Sequence, residues 1–311
     1  MPANVNEMMY VGRTPWHGKG TKLDNPATAA EAIEAAKLGW DVRLEDVFQQ
    51  TQDGFRAVSN KKLVVRIDTN VVLGVVGERY CPLQNRDAFR FFDAVVGEKS
   101  AIYHTAGSLG DGERIWLLAK LPGEIVVTKD DVTEKYLLLA NSHDGTLRVS
   151  MLWTPIRVVC QNTLNGALSS AEEVLQAKHT TLLGNRVGEF ASRLGIINQK
   201  FDLLGELSQR LIKTPMLTEQ WKTYRNKVFN ISDGELPTRT KNMLDEVSAL
   251  FDSGRGIDLP GVRGTAWAGV NAIVEYADYV RGRNTTRDMS TLFGSGATLK
   301  QKAWKEAALL V

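Results

Sequence analysis

The chain has 311 residues, enough for one large domain or two smaller ones. Its net charge of +2, with 43% hydrophobic and 24% charged residues, is that of an ordinary globular protein, so any nucleic-acid surface must be local rather than chain-wide. Two cysteines, Cys81 and Cys160, exclude a disulfide framework and a four-cysteine metal site.

Residues 1–26 show little periodicity and read as an arm or loop, with Pro15 and three glycines in the stretch MMYVGRTPWHGKGTKL. Trp16 and His17 sit there among Arg13, Lys19 and Lys22. Such an arm can lie along a partner or a nucleic-acid backbone, or tuck onto its own domain. A helix starting at Asn25–Pro26 turns Ala29, Ala30, Ile33, Ala36 and Leu38 inward and ends at Gly39. Residues 40–80 then read as three antiparallel strands, separated by Asp53–Gly54 and by Asp68-Thr69-Asn70. Asn85 can cap the helix that follows, whose Ala88, Phe91, Phe92 and Val95 suit packing on a sheet. The local order is β-β-β-α.

Strand signals resume in AIYHTAGSL, ERIWLLAKL, EIVVT and YLLLANS, broken by the turns Gly110-Asp111-Gly112 and His143-Asp144-Gly145. Leu147, Val149, Met151, Trp153, Ile156, Val158 and Val159 predict a buried strand that must bend or lie at an edge at Pro155. From Gln161 to Lys178 the pattern reads as a helix. Beyond 178 the chain reads as helices: Val187, Phe190, Leu194, Ile197, Phe201, Leu204 and Leu211 recur at threes and fours, and further helices follow to the tail. The expected fold class is α+β, a mostly antiparallel sheet with a β-β-β-α start followed by a helical C-terminal half. The expected division is an arm at 1–26, a sheet domain at 27–180, and a helical region at 181–311 packed on or extending it.

Catalytic signals are thin. His17, His104, His143 and His179 are scattered without metal-ligand spacing, and there is no G-x-S-x-G elbow. No cofactor is expected. FGSGATLKQK combines a glycine turn with a helix start, but it lacks the spacing of a nucleotide-binding loop. An ordinary helix cap and a nonspecific phosphate contact both fit it.

Local basic runs say more. Arg56, Lys61, Lys62 and Arg66 lie on the second strand with no acid between them. Arg79, Arg86 and Arg90 follow, and Arg281 to Lys305 forms a basic tail. If β alternation holds and Asn60 makes no bulge, Arg56, Lys62 and Arg66 form an exposed stripe. Lys61 then points inward with Leu63, Val65 and Ile67. The nucleic-acid candidates are therefore Arg56, Lys62, Arg66, Arg79 and Arg86; a solvated strand face is the competing reading. Arg157 with Gln161, Asn162 and Asn165 is either a polar pocket facing a ligand or a network pinning strand to helix.

The segments GERYCPLQN, PIRVVCQNTLNGAL and TAWAGVNAIVEYADYVRGR…LFGSGATLKQKAW resemble the "phage/plasmid-like protein" family over nearly the whole chain. That resemblance implies a phage, prophage or plasmid context and supplies no catalytic residues. The β-β-β-α order followed by more strands is similar to the core of single-strand annealing proteins of the Rad fifty-two type, which form rings and hold single-stranded DNA in a basic groove. The expected protein is non-enzymatic, binds single-stranded DNA, promotes annealing or recombination, and assembles as a homo-oligomer such as a ring. The alternatives are a nucleotide-binding enzyme or ligand-binding protein, and a virion or host-interaction component. The absence of a leader-like or membrane-length segment, and the apolar strand contexts of Cys81 and Cys160, lead to the expectation of separate, reduced thiols in the host cytoplasm.

Overall fold

The structure, a computed structural model, describes residues 5–12, 19–25, 27–96, 102–157, 162–163, 175–181, 189–190, 194–232, 234–282, 290–291 and 294–311. Two sheets carry the N-terminal half. The smaller is the expected meander of β3 (Val42–Thr51), β4 (Gly54–Arg66) and β5 (Val72–Gly77), with β4 in the middle. Asn70, at φ +57°, makes the turn between β4 and β5, a left-handed conformation that asparagine tolerates better than most residues.

The larger sheet contains β1 (Val5–Val11), β2 (Thr21–Leu23), β6 (Ile102–Leu109), β7 (Arg114–Thr128), β8 (Asp131–Ser142), β9 (Val149–Arg157), β10 (Asn162–Thr163) and β11 (Leu175–Ala177). Its order is β10-β9-β8-β7-β6-β1-β2, with β11 also beside β9. Every pairing is antiparallel except that of β1 with β2. On β7, Ile115, Leu117, Ala119 and Leu121 are buried and alternate with half-buried residues, as one strand face against a core requires. Central β8 has Tyr136 to Ala140 buried without a break, so both of its faces are covered.

Among the described residues the main helices are α1 (Ala29–Ala35), α2 (Asn85–Val96), α3 (Leu194–Lys213), α4 (Thr218–Phe229), α5 (Thr238–Ser253), α6 (Ala266–Glu275) and α7 (Ser295–Ala308); a π-helical turn, Tyr276–Val280, continues α6. One hydrophobic core runs from α1 and α2 through the sheets into the C-terminal helices. Trp153 on β9 meets Phe201 of α3 edge to face at 5.2 Å. Trp267 of α6 donates its indole N–H to buried Asp131 at 2.7 Å and packs edge-on against Trp304 of α7. The helical half is thus packed onto the sheet. No described helix is long and apolar enough to cross a membrane.

Four local expectations are corrected. The N-terminal arm contains a strand: β1 pairs with β6, and its Met9 is in the core. The first helix starts after Thr28, whose hydroxyl and backbone N–H exchange hydrogen bonds with Glu31 in a capping box. Residues 162–163 and 175–177 are strands on β9, not parts of a helix. Asn85 does not cap α2 but spends its side chain on other segments, as described below. Pro155 lies opposite Lys135 of β8, and on the other edge of β9 it falls between the stretches paired by β11 and β10. Cys81 is a free, half-buried thiol; Trp16, His17 and Cys160 lie outside the described residues.

Candidate nucleic-acid interface

The basic strand does not form a continuous stripe. Asp46 pairs with Lys62 and Phe48 with Ala57, so β4 carries a bulge at residues 58–61 that breaks the alternation. Beyond it, Lys62, Val64 and Arg66 share one face, and that face turns toward the core: Val64 is fully buried and belongs to the main cluster. Arg66 is only 8% exposed. Its guanidinium lies over the Trp40 ring at 4.4 Å, forks onto Asp68 through Nε and Nη2 at 2.8 and 3.0 Å, and donates to the Asp111 carbonyl at 2.9 Å. The expectation of an exposed Arg66 is therefore wrong; it is a brace between β4 and the loop before β7. Lys62 is half-buried and paired with Asp46 at 2.5 Å. Ile67, expected to point inward, is exposed.

What remains accessible on β4 is its far end. From Gln49 to Ala57 every residue of the β3–β4 hairpin is exposed. Phe48 and Phe55 are 58% and 76% exposed. Phe55 lies opposite Gln50, and Phe48 opposite Ala57, so the two rings are diagonal neighbours on one face, about 7–8 Å apart by the geometry of antiparallel pairs. Arg56, opposite Gln49, projects from the other face, and exposed Lys61 lies opposite Gly77 of β5. Neither phenylalanine belongs to the basic pattern that marks β4 in the sequence; for Phe55 the visible signal is an apolar residue directly after the Asp53–Gly54 turn.

Arg79 lies elsewhere. With Tyr80 it lines a cleft of about 540 Å³ with Gly145, Thr146, Leu147, Arg148, Lys178, His179 and Thr180. Three segments meet there: the end of β5, the turn after β8 and the end of β11. Two glycines permit the approach. A Cβ on Gly74 would stand 2.6 Å from Asp144 Cα, and one on Gly145, at φ +73°, would stand 2.9 Å from Val76. Tyr80 donates its hydroxyl to the Ser142 carbonyl at 2.8 Å and stacks on His179 at 4.7 Å. The Cys81 N–H donates to the His179 carbonyl, joining the first and third segments. Burial lowers the His179 pKa against the opposing pull of the Leu147 and Cys81 backbones.

Beneath the cleft, fully buried His143 anchors the turn. Its Nε2 meets Asn85 Oδ1 at 2.9 Å, while Asn85 Nδ2 donates to the carbonyls of Leu38 and Trp40. Because Asn85 presents its oxygen, the imidazole must donate, which fixes the Nε2–H tautomer. The ring packs edge-on to Trp40 at 5.3 Å. Burial, reinforced by His179 and only partly offset by Asp144, pushes the His143 pKa down to about 3.

A family model for a domain of unknown function, DUF932, matches residues 72–304. The chain belongs to the DUF932 family. No curated protein and no solved structure matches it. The DUF932 match contains the whole lining of the cleft and begins after Arg56, Lys62 and Arg66.

The other candidates are dispersed. Arg86 is exposed on α2, reaching the Gly39 carbonyl at 3.4 Å. Arg157 and Asn162 are backbone register partners in the β9–β10 pair; Gln161 and Asn165 lie outside the described residues, so the expected polar pocket is not described as a unit. In the tail, Lys300 is fully buried and paired with Asp278 at 2.9 Å, which removes it as a phosphate contact. The Gly296 N–H, in the first turn of α7, donates to the hydroxyl of Ser290 in the preceding segment, while the N-cap itself, Gly294, has no side chain to offer.

Proposed function

We propose that the chain is a non-enzymatic, single-stranded DNA-binding protein of phages or plasmids that promotes strand annealing or recombination. The observation that carries this reading is the hairpin: two solvent-exposed phenylalanines on one face, with Arg56 and Lys61 nearby. Every base has a face that stacks on an aromatic ring, so such a platform binds without sequence preference. A diagonal spacing of about 7–8 Å is close to two stacking distances of roughly 3.4 Å, the room one base needs between two rings. The resemblance to mobile-element proteins supports the phage or plasmid setting. Exposed Ile67, Val72 and Val75 on the small sheet support a homo-oligomer, whose subunit contact this apolar surface would supply.

The test is fluorescence anisotropy with a labelled oligothymidine at low salt, where electrostatic affinity is greatest. Replacing Phe48 and Phe55 by alanine should weaken binding by roughly 5- to 150-fold per stacked base, the equivalent of about 1–3 kcal/mol. A wild-type protein that gives no anisotropy change at low salt removes the proposal, and unchanged affinity in the double variant removes the hairpin from it. Sedimentation velocity of Val72→Ser/Val75→Ser tests the assembly face: the oligomer should dissociate, and an unaltered distribution refutes that contact.

A further inference from the structure

The cleft around Tyr80 is independent of the hairpin and has its own chemistry. Arg79, Arg148 and Lys178 come from three separate segments and converge on one cavity. Among the described residues none of the three is ion-paired; Arg148 only approaches the neutral Gln176 amide at 3.4 Å. The acidic group of the turn, Asp144, is already engaged: it accepts from the Thr146 N–H and hydroxyl at 2.9 and 2.6 Å and lies 3.6 Å from Arg114. Three cations thus line a cleft whose described lining includes no carboxylate. The walls are fixed in advance by the Tyr80–Ser142 bond, the Tyr80–His179 stack and the close packing at Gly74 and Gly145.

We propose that this cleft binds a phosphate monoester. The charge argues for a terminal phosphate over an internal diester. A monoester carries about −1.5 to −2 charges at neutral pH and three strong acceptor oxygens, against one charge for a diester. Three converging cations, two of them guanidinium groups that grip phosphate through paired N–H donors, match the monoester. Two sources present that group: a free nucleotide, or the 5′-phosphorylated end of a DNA strand.

The experiment is isothermal titration of the full chain with deoxyadenosine 5′-monophosphate and, separately, with deoxyadenosine. The monophosphate should bind saturably and the nucleoside should not. Arg79→Gln/Lys178→Gln, two exposed positions, should lower monophosphate affinity at least tenfold. Arg56→Gln/Lys61→Gln removes the same charge at the hairpin and should leave it unchanged. A second arm compares 5′-phosphorylated with 5′-hydroxyl oligonucleotides. Tighter binding of the phosphorylated strand, lost in Arg79→Gln/Lys178→Gln, identifies a strand end as the ligand; equal binding of the two strands beside a bound monophosphate identifies a free nucleotide. Monophosphate heats no larger than those of the nucleoside, or affinity that survives Arg79→Gln/Lys178→Gln, overturn the proposal. Failure of the 5′-hydroxyl strand to bind at all overturns the single-strand reading of the chain, while saturable monophosphate binding lost in Arg79→Gln/Lys178→Gln still supports the cleft.

Discussion

His143 makes stability depend on acid in a way that can be calculated. Its folded pKa is about 3, and in the unfolded chain a histidine titrates near 6.5. Between those values the unfolded state binds a proton that the folded state refuses, so stability falls as the pH is lowered. The contribution is fully present above about pH 6.5 and is lost progressively toward pH 3. From about pH 7.5 to about pH 4.5 the loss is close to two pK units at 1.36 kcal/mol each, or about 2.7 kcal/mol. His143→Gln retains an N–H donor for Asn85 Oδ1 and removes the titration. Urea unfolding of both proteins across this range isolates the effect, because the carboxylates and the other shifted histidines, half-buried His104 and buried His179, are the same in both. The wild type should lose about 2.7 kcal/mol more than the variant. Parallel pH profiles would refute the burial argument, as would an imidazole resonance of His143 that titrates near pH 6.

Trp153→Ala should cost about 3–5 kcal/mol, because the ring is buried where β9 meets α3; urea unfolding would refute the packing with a cost under about 0.5 kcal/mol. Arg66→Ala should destabilise by roughly 2–3 kcal/mol through the lost Trp40 stack and charged hydrogen bonds, while Arg56→Ala stays within about 0.5 kcal/mol. Equal costs in thermal unfolding would contradict the buried brace. Lys300→Met should cost roughly 3–5 kcal/mol by breaking the buried pair with Asp278, and a neutral result would show the lysine to be solvated.

The elements that could be read from the chain were those specified by near neighbours. The β3–β4–β5 meander follows from two turn signals and short loops, and it is present as expected. Arg66 was misplaced because its surroundings are distant in sequence: Trp40 below it, and the Asp111 carbonyl from a loop beyond α2 and β6. Lys300 reads as a surface lysine until Asp278, 22 residues earlier, is brought against it. β1 escaped notice because its partner β6 lies almost a hundred residues further along, and nothing in VNEMMYV alternates. The helix expected from Gln161 fails at 162–163 and 175–177 because the long edge of β9 offers those segments a ladder, a tertiary influence that local periodicity does not contain. The cleft has no linear motif. Arg79 is legible only as one basic residue among several, and Gly74 and Gly145 take their meaning from each other's segment.

The family match begins at Val72, inside the small sheet, so it does not mark a folding boundary. β5 pairs only with β4 among the described strands, and Leu73 and Val76 share the core with Val64 and Trp40. The body of β4 therefore belongs to the same cooperative unit as the cleft, whereas its tip does not: residues 49–57 are all exposed. This difference separates the two sites by experiment. Replacing Gln49 to Arg56 with an Asn-Gly turn would join Phe48 to Ala57, which already face each other, through a favoured two-residue hairpin loop. The shortened protein should keep its melting temperature within a few degrees, since a stability change under about 0.5 kcal/mol is expected of exposed residues. It should lose single-strand affinity with Phe55 and Arg56, and retain the affinity of the cleft for deoxyadenosine 5′-monophosphate. Unfolding on removal of the tip would show that the hairpin is structural. Loss of both affinities in a folded protein would show that hairpin and cleft form one surface, joined where Lys61 lies opposite Gly77, two residues before Arg79.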